Sequence, residues 1–366
     1  MQRTKPPFRA DQVGSLLRPP ALKEAREKRA KGQITPAELK AVEDREIERV
    51  IRMQEEVGLK AVTDGEFRRS WWHLDFLAGF AGAELIDIKE GIQFHGVQTR
   101  RQGVRVTGKL GFDGHPMLDH FRFVRAHTQR TPKMTIPSPS AMYARGGREF
   151  VSREAYPSLD AFFDDLGKAY AKAVRAFADA GCRYLQFDEV YTAMWCDPEH
   201  RKMLAARGDD PDRLLVTYAD LINAAVADIP ADMTVTMHLC RGNFRSTFMG
   251  TGGYEPVADV LFNRTNVHAY FMEYDTERAG GFEPLRLLPK GKTVVLGLVT
   301  TKTGSLEPRD AIKRRIEAAA KFVDIDQLCL SPQCGFASTE EGNILIEDEQ
   351  WAKLRMIVEV AREVWG

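Results

Sequence analysis

The chain has 366 residues, enough for one large domain or two small ones. Hydrophobic residues make up 43% and charged residues 28%, while 52 Lys+Arg against 52 Asp+Glu leave none of the basic excess that a nucleic-acid binder usually carries. No apolar run approaches the ~18 residues of a membrane span, no apolar stretch follows the first residues as in a signal peptide, and an odd five cysteines do not make a disulfide framework, so a cytoplasmic protein with no nucleic-acid or membrane partner is expected.

In chain order, β-rich runs are predicted at Gln12–Ser15, Lys60–Asp64, Lys133–Pro137, Arg183–Phe187, Thr234–His238, Asn266–Glu273, Thr293–Val299 and Gln327–Ser331. Amphipathic helical stretches lie between them, at Pro20–Val57, Leu159–Ala180, Pro211–Ala227, Tyr254–Phe262, Glu307–Phe322 and Glu347–Val364. Ser158 reads as an N-cap and Pro308 as a first-turn proline. Eight strands alternating with helices argue for a parallel sheet, and in a chain of this length for a (β/α)₈ TIM barrel. An open doubly wound sheet is the rival, but no G-x-G-x-x-G follows the first strand.

One stretch, about 67–132, breaks the alternation. Its aromatics (Trp71, Trp72, Phe76, Phe80) precede two alternating segments, Ile92–Gln98 and Gly103–Leu110. The expectation is an inserted helix and β-hairpin after the second strand, capping the barrel mouth, within a single catalytic barrel over residues 1–366.

In such a barrel, chemistry sits at the C-terminal ends of the strands. His238 and Cys240 are two apart at one such end, so imidazole and thiol share a face; the pair alone fits a metal site or ordinary packing. Glu273 ends the next strand, and Cys334 lies in Pro332-Gln-Cys-Gly335 just past the last one. One nitrogen, one oxygen and two sulfurs suit tetrahedral Zn²⁺. Cys182, Cys196 and Cys329 lack such partners.

Taken with Val13-Gly14-Ser15, Asp64-Gly65-Glu66-Phe67-Arg68 and Phe187-Asp188-Glu189, these motifs stand in an order that resembles the catalytic C-terminal domain of cobalamin-independent methionine synthase, in its short, single-barrel form. The resemblance covers nearly the whole chain. It implies a zinc site of His238, Cys240, Glu273 and Cys334. It also implies a homocysteine site, with Val13, Gly14 and Ser15 at the backbone end and Glu66 and Asp188 receiving the ammonium. A salt bridge from Glu66 to Arg68 or Arg69, and helix capping by Asp188, are the plain alternatives.

The implied reaction is nucleophilic. A free thiol is mostly protonated at neutral pH, and coordination to Zn²⁺ holds the sulfur of homocysteine as thiolate, ready to take a methyl group and give methionine. On the donor side the chain departs from the family: Lys302 stands where a proton-donating histidine is expected, and Tyr143 where a tryptophan stacks on folate. 5-Methyltetrahydropteroylglutamate is therefore expected to be a poorer donor than a methyl-corrinoid, with a corrinoid protein as partner, or another activated methyl compound. Other readings are a different zinc-dependent thiol alkyltransferase, such as an epoxyalkane:coenzyme M transferase, disfavoured by two acidic residues at the acceptor site, and a non-catalytic metal- or thiol-binding protein. A uroporphyrinogen-decarboxylase-like activity would need arginines poised for several carboxylates.

Overall fold

The computed structural model describes residues 2–366. Its framework is a six-stranded, all-parallel sheet of Met134–Pro137, Tyr184–Asp188, Thr234–Leu239, Ala269–Glu273, Thr293–Val299 and Leu328–Pro332, neighbours in that order. Every residue of Thr293–Val299 is buried, the mark of a parallel strand covered on both faces, and its apolar run is why both its ends were legible in the sequence.

The edges of this sheet continue. Thr131–Pro132, just before the first of the six strands, pairs in parallel with Ala61–Val62. At the other edge Ala10 bridges to Leu330 in parallel, with Asp11 N–H donating to Leu330 O at 3.0 Å and Leu330 N–H to Arg9 O at 2.8 Å. Leu16 N–H then donates to Gly65 O at 3.0 Å. The predicted strand at Gln12–Ser15 is thus a single bridge at Ala10, two residues before it. Gly14 (φ 154°) turns the chain, and side chains hold the carbonyls here: Gln186 Nε2 bonds Val13 O at 2.9 Å and Thr63 Oγ1 bonds Gly14 O at 2.6 Å.

Helices pack outside the sheet. The stretch predicted as one helix over 20–57 is two, Pro20–Ala30 and Pro36–Val57. Thr35 begins the second with a capping box: its hydroxyl accepts from Glu38 N–H at 3.2 Å while Glu38 accepts from Thr35 N–H at 2.7 Å. Gly58 (φ 100°) ends it. Ser158 caps Leu159–Asp179 as expected, accepting from Asp160 and Ala161 N–H. That helix buries Phe162, Leu166, Tyr170, Ala173 and Phe177 against Pro211–Ala225 and the sheet, each large side chain contributing about 1.5–3 kcal/mol. Pro308 is the N-cap residue of Arg309–Ala319. The stretch predicted from 254 to 262 is a short helix, Glu255–Asp259, running into a π-turn, and Pro198–Ala206 is a helix absent from the sequence reading. Among the described residues no helix is long and apolar enough to cross a membrane.

The segment between the strands at 61–62 and 131–132 does hold helix and hairpin, but paired differently from expectation. Gln102–Gly111 lies antiparallel to Ala81–Asp87, not to the segment before it. Residues 93–98 fold back on themselves as a separate two-residue hairpin around Gly96 (φ 75°). Helices Leu74–Leu77 and Met117–Ala126 flank these strands.

Candidate active site

The C-terminal ends of the strands converge on an open-mouthed cavity, with the 93–98 hairpin forming part of its outer wall through Phe94. His238 and Cys240 come from the end of Thr234–Leu239 and the residue just after it, and Cys334 from the turn after Leu328–Pro332. Their ligand atoms lie within 4.8 Å of one another, and all three residues are buried. His238 Nε2 is 3.3 Å from Cys334 Sγ. Ligands on one tetrahedral Zn²⁺ stand roughly 3.5–3.8 Å apart, given bonds of about 2.0–2.3 Å, so this trio fits a single ion. The Cys334 thiol is pushed well down, first because the Cys240 thiol donates to it and then by His238. Cys240, as donor, is pushed up. Burial alone would lower His238, but Cys334, with Asp188 and Glu273, outweighs it and raises the imidazole.

Glu273 stands apart from this trio. One carboxylate oxygen pairs with Arg278; the other accepts from Arg241 N–H at 2.7 Å. Lys302 Nζ lies 3.9 Å from Glu273 and 3.7 Å from Asp275. Burial would raise the Glu273 carboxyl, yet Lys302, Arg278 and Arg241 together hold it low. Lys302 is therefore part of a buried cluster of two cations and two carboxylates rather than of the cavity wall. Tyr143 is also remote: it is fully buried against Phe162 and Phe163, and its hydroxyl donates to Asp209 at 2.8 Å. The aromatics that face the cavity are Trp71, Trp72, Phe94, Tyr191 and Phe244.

The other residues singled out in the sequence do meet. Val13, Ser15, Glu66 and Asp188 line the cavity, and Gly14 lies directly behind Glu66: a Cβ there would sit 2.6 Å from Glu66 Oε1 and 2.7 Å from Thr135 Cγ2. Glu66 holds a left-handed backbone (φ 62°) after Gly65 (φ 64°), local strain of the kind that concentrates at functional sites. Its carboxylate pairs with Arg69 and accepts from Thr135 Oγ1. Burial lifts its pKa to about 7, against the pull of Arg69 and with a further push from Asp188. Burial likewise raises Asp188, with Arg69 and His238 opposing; its carboxylate accepts from Gln186 Nε2 at 2.9 Å. Arg69 was not anticipated as a cavity residue, because its side chain reaches back from the loop after Glu66. Among the described residues, Arg69 is the one Arg or Lys lining the cavity beside the two carboxylates, with Arg18 and Lys133 buried within electrostatic reach of them. All five cysteines are unpaired and buried, and Cys182, Cys196 and Cys329 lie outside the cluster.

Residues 8–363 match the family described as the cobalamin-independent synthase catalytic domain. The chain belongs to that family. Within reach of this methionine synthase-like family, the uncharacterized protein YxjG of Bacillus subtilis is 51% identical over 368 residues, which cover 100% of this chain and 97% of its own length. A crystal structure from Listeria monocytogenes, provisionally assigned as a vitamin-B12-independent methionine synthase, is 41% identical, covers 100% of both chains and superposes with a TM-score of 0.81. A B12-independent methionine synthase from Shewanella sp. W3-18-1, solved in complex with selenomethionine, shares the fold at 19% identity over 96% of each chain, with a TM-score of 0.71.

Proposed function

We propose that this protein is a zinc-dependent methyltransferase that methylates homocysteine to methionine from 5-methyltetrahydropteroylglutamate or another methyl donor, as one cytoplasmic domain built on a (β/α)₈ barrel. Barrel closure is supported by the parallel bridge from Ala10 to Leu330 and the bond from Leu16 to Gly65, which tie the N-terminal segment to both neighbours. The observation that carries the function is one cavity holding both the sulfur–nitrogen trio and an acidic pair, one member of which pairs with Arg69.

His238, Cys240 and Cys334 would hold the zinc, and Glu273 would complete the set by exchanging Arg278 for the ion. Zinc, when bound, supplies the charge that keeps a substrate thiol ionised at neutral pH. Glu66 and Asp188 take the substrate ammonium, and Val13 to Ser15 border its backbone end. Arg69 keeps the two carboxylates from repelling each other before substrate arrives. The walls of Trp71, Trp72 and Phe244 exclude water from the reacting sulfur. In the transfer, an S–CH₃ bond forms as the donor's CH₃–X bond breaks, and X departs with the electron pair.

The test is metal analysis of protein purified without added metal, together with methionine formation by mass spectrometry from homocysteine and a panel of methyl donors. Near-stoichiometric zinc is expected, lost together with methionine formation in a Cys240→Ser, Cys334→Ser double variant. Undiminished zinc in that variant would sink the assignment.

A further inference from the structure

Glu273 and the outer wall of the cavity are joined by one side chain. Arg278 pairs with Glu273, and its guanidinium carbon sits 4.2 Å from the centroid of the Phe248 ring. Phe248 in turn holds the 93–98 hairpin, accepting from His95 N–H at 3.1 Å and packing on its ring at 4.4 Å. A chain of direct contacts thus runs from a strand end to the hairpin: Glu273, Arg278, Phe248, His95.

Arg278 also has a second seat within reach. Asp275 Oδ1 lies 3.4 Å from its Nη2, while Asp275 Oδ2 is buried and accepts no hydrogen bond. Nε of Arg278 is likewise buried and without a hydrogen-bond partner. Lys302 Nζ lies within ion-pair distance of both carboxylates but makes no hydrogen bond to either. Asp275 therefore keeps an acceptor unused for as long as Glu273 holds Arg278.

A buried cation deprived of its partner is costly, because its charge is left uncompensated. Were Glu273 to turn toward an ion held by His238, Cys240 and Cys334, Arg278 would lose its partner, and the unused oxygen of Asp275 offers another. One side chain with two discrete arrangements, each favoured by a different state of Glu273, is what coupling between two sites requires.

We propose that Arg278 is a positioning residue that links Glu273 to the outer wall: paired with Glu273 it steadies Phe248 and the hairpin, and when Glu273 serves as a metal ligand it shifts to Asp275 and releases them. The proposal rests on the reading of Glu273 as the fourth zinc ligand. Coupling is reciprocal, so Arg278 also competes with the metal for Glu273 and sets the affinity of the site. The outer wall is then held closed over an empty metal site and loosened over a loaded one, where an entering thiol finds its ligand.

The experiment reads zinc affinity by competition with a chromophoric chelator. It also follows hydrogen exchange of the peptide holding the His95 amide, in chelator-treated and zinc-loaded protein. In the wild type, zinc should speed exchange at the hairpin about twofold to fivefold, the factor that loss of one exposed cation–π contact gives, while slowing it at the strand ends. Arg278→Met should bind zinc about tenfold or more tightly, since a charge-assisted pair no longer competes for Glu273, and its hairpin should exchange alike with and without zinc. Arg278→Lys should restore most of the wild-type behaviour in both measurements. Phe248→Leu keeps the ion pair at a half-buried position and should lose the zinc-dependent change in exchange, which decides the matter even if Arg278→Met does not fold. Hairpin exchange that zinc leaves unchanged or slows in the wild type, zinc affinity not raised in Arg278→Met, or a zinc response that survives Phe248→Leu would overturn the coupling and leave the zinc reading standing. A wild type that binds no zinc would refute both.

Discussion

Replacing Asp188 with Asn takes one unit of charge from the cavity and leaves its shape nearly unchanged. In the wild type Glu66 and Asp188 both face the cavity, Glu66 paired with Arg69 and Asp188, among the described residues, with no ion pair to a side chain lining it, so both carboxylates are available to a substrate ammonium. In Asp188→Asn one of the two carboxylates facing the ammonium is gone. A charge-assisted bond is worth about 1.5–3 kcal/mol, which corresponds to roughly tenfold to hundredfold in affinity. The same change should alter the pH dependence. Glu66 has a pKa of about 7, raised first by burial, opposed by Arg69 and raised further by Asp188. The ionised carboxylate binds the ammonium, so wild-type affinity should rise from pH 6 to 8 and binding should release a proton below pH 7. Without the Asp188 charge Glu66 ionises more easily, so the inflection should move to lower pH and the profile flatten between 7 and 8. Calorimetry with methionine at pH 6, 7 and 8 reads both effects, since methionine has the ammonium but no thiol proton to lose. Equal affinity in the two proteins at pH 7.5, or an inflection that does not move, would refute the ammonium role of Asp188.

Gly14→Ala should destabilise the protein by about 1–3 kcal/mol and weaken methionine binding, because its Cβ would meet Glu66 and Thr135 at under 3 Å; urea unfolding with the same calorimetry checks this, and a neutral effect on both would show that the loop can yield. Glu273→Gln should cost about 3 kcal/mol by urea unfolding, the low end for breaking a buried ion pair, since Asp275 still faces both Arg278 and Lys302; a loss below about 0.5 kcal/mol would mean that Glu273 is not their main counter-ion.

The framework was legible where burial on both faces writes a continuous apolar run, as at Thr293–Val299, and where a cap carries its own signal, as at Ser158. The break before Pro36 was also legible in principle, because Thr35 and Glu38 have the capping-box spacing. Pairing inside the 67–132 insertion was not: alternation marks a strand but does not name its partner, so Gly103–Leu110 could not be assigned to Ala81–Asp87. In the site, His238 and Cys240 were readable from their i, i+2 spacing and Cys334 from its strand-end turn, since backbone geometry alone brings them in. Glu273 was correctly placed at a strand end, but which way its carboxylate turns depends on Arg278, a loop residue five positions later. The salt bridge from Glu66 to Arg69 was readable from their spacing, but that Arg69 and Tyr191 face the cavity left no pattern, because they reach it from a loop and a short helix where sequence spacing fixes no direction.

The cavity has two walls of unequal strength. The inner one consists of strand ends locked in the parallel sheet, whereas the outer one includes the 93–98 hairpin, joined to the facing loop by His95 N–H to Phe248 O at 3.1 Å and by packing of their rings at 4.4 Å. Segments with so few tertiary bonds open locally at little cost, while strands open only with the whole domain. Entry and exit of ligands are thus governed by one part of the molecule and their equilibrium positions by another. Substitutions at His95 or Phe248 would change association and dissociation rates together, leaving their ratio nearly constant, whereas changes at the strand ends would change the ratio itself.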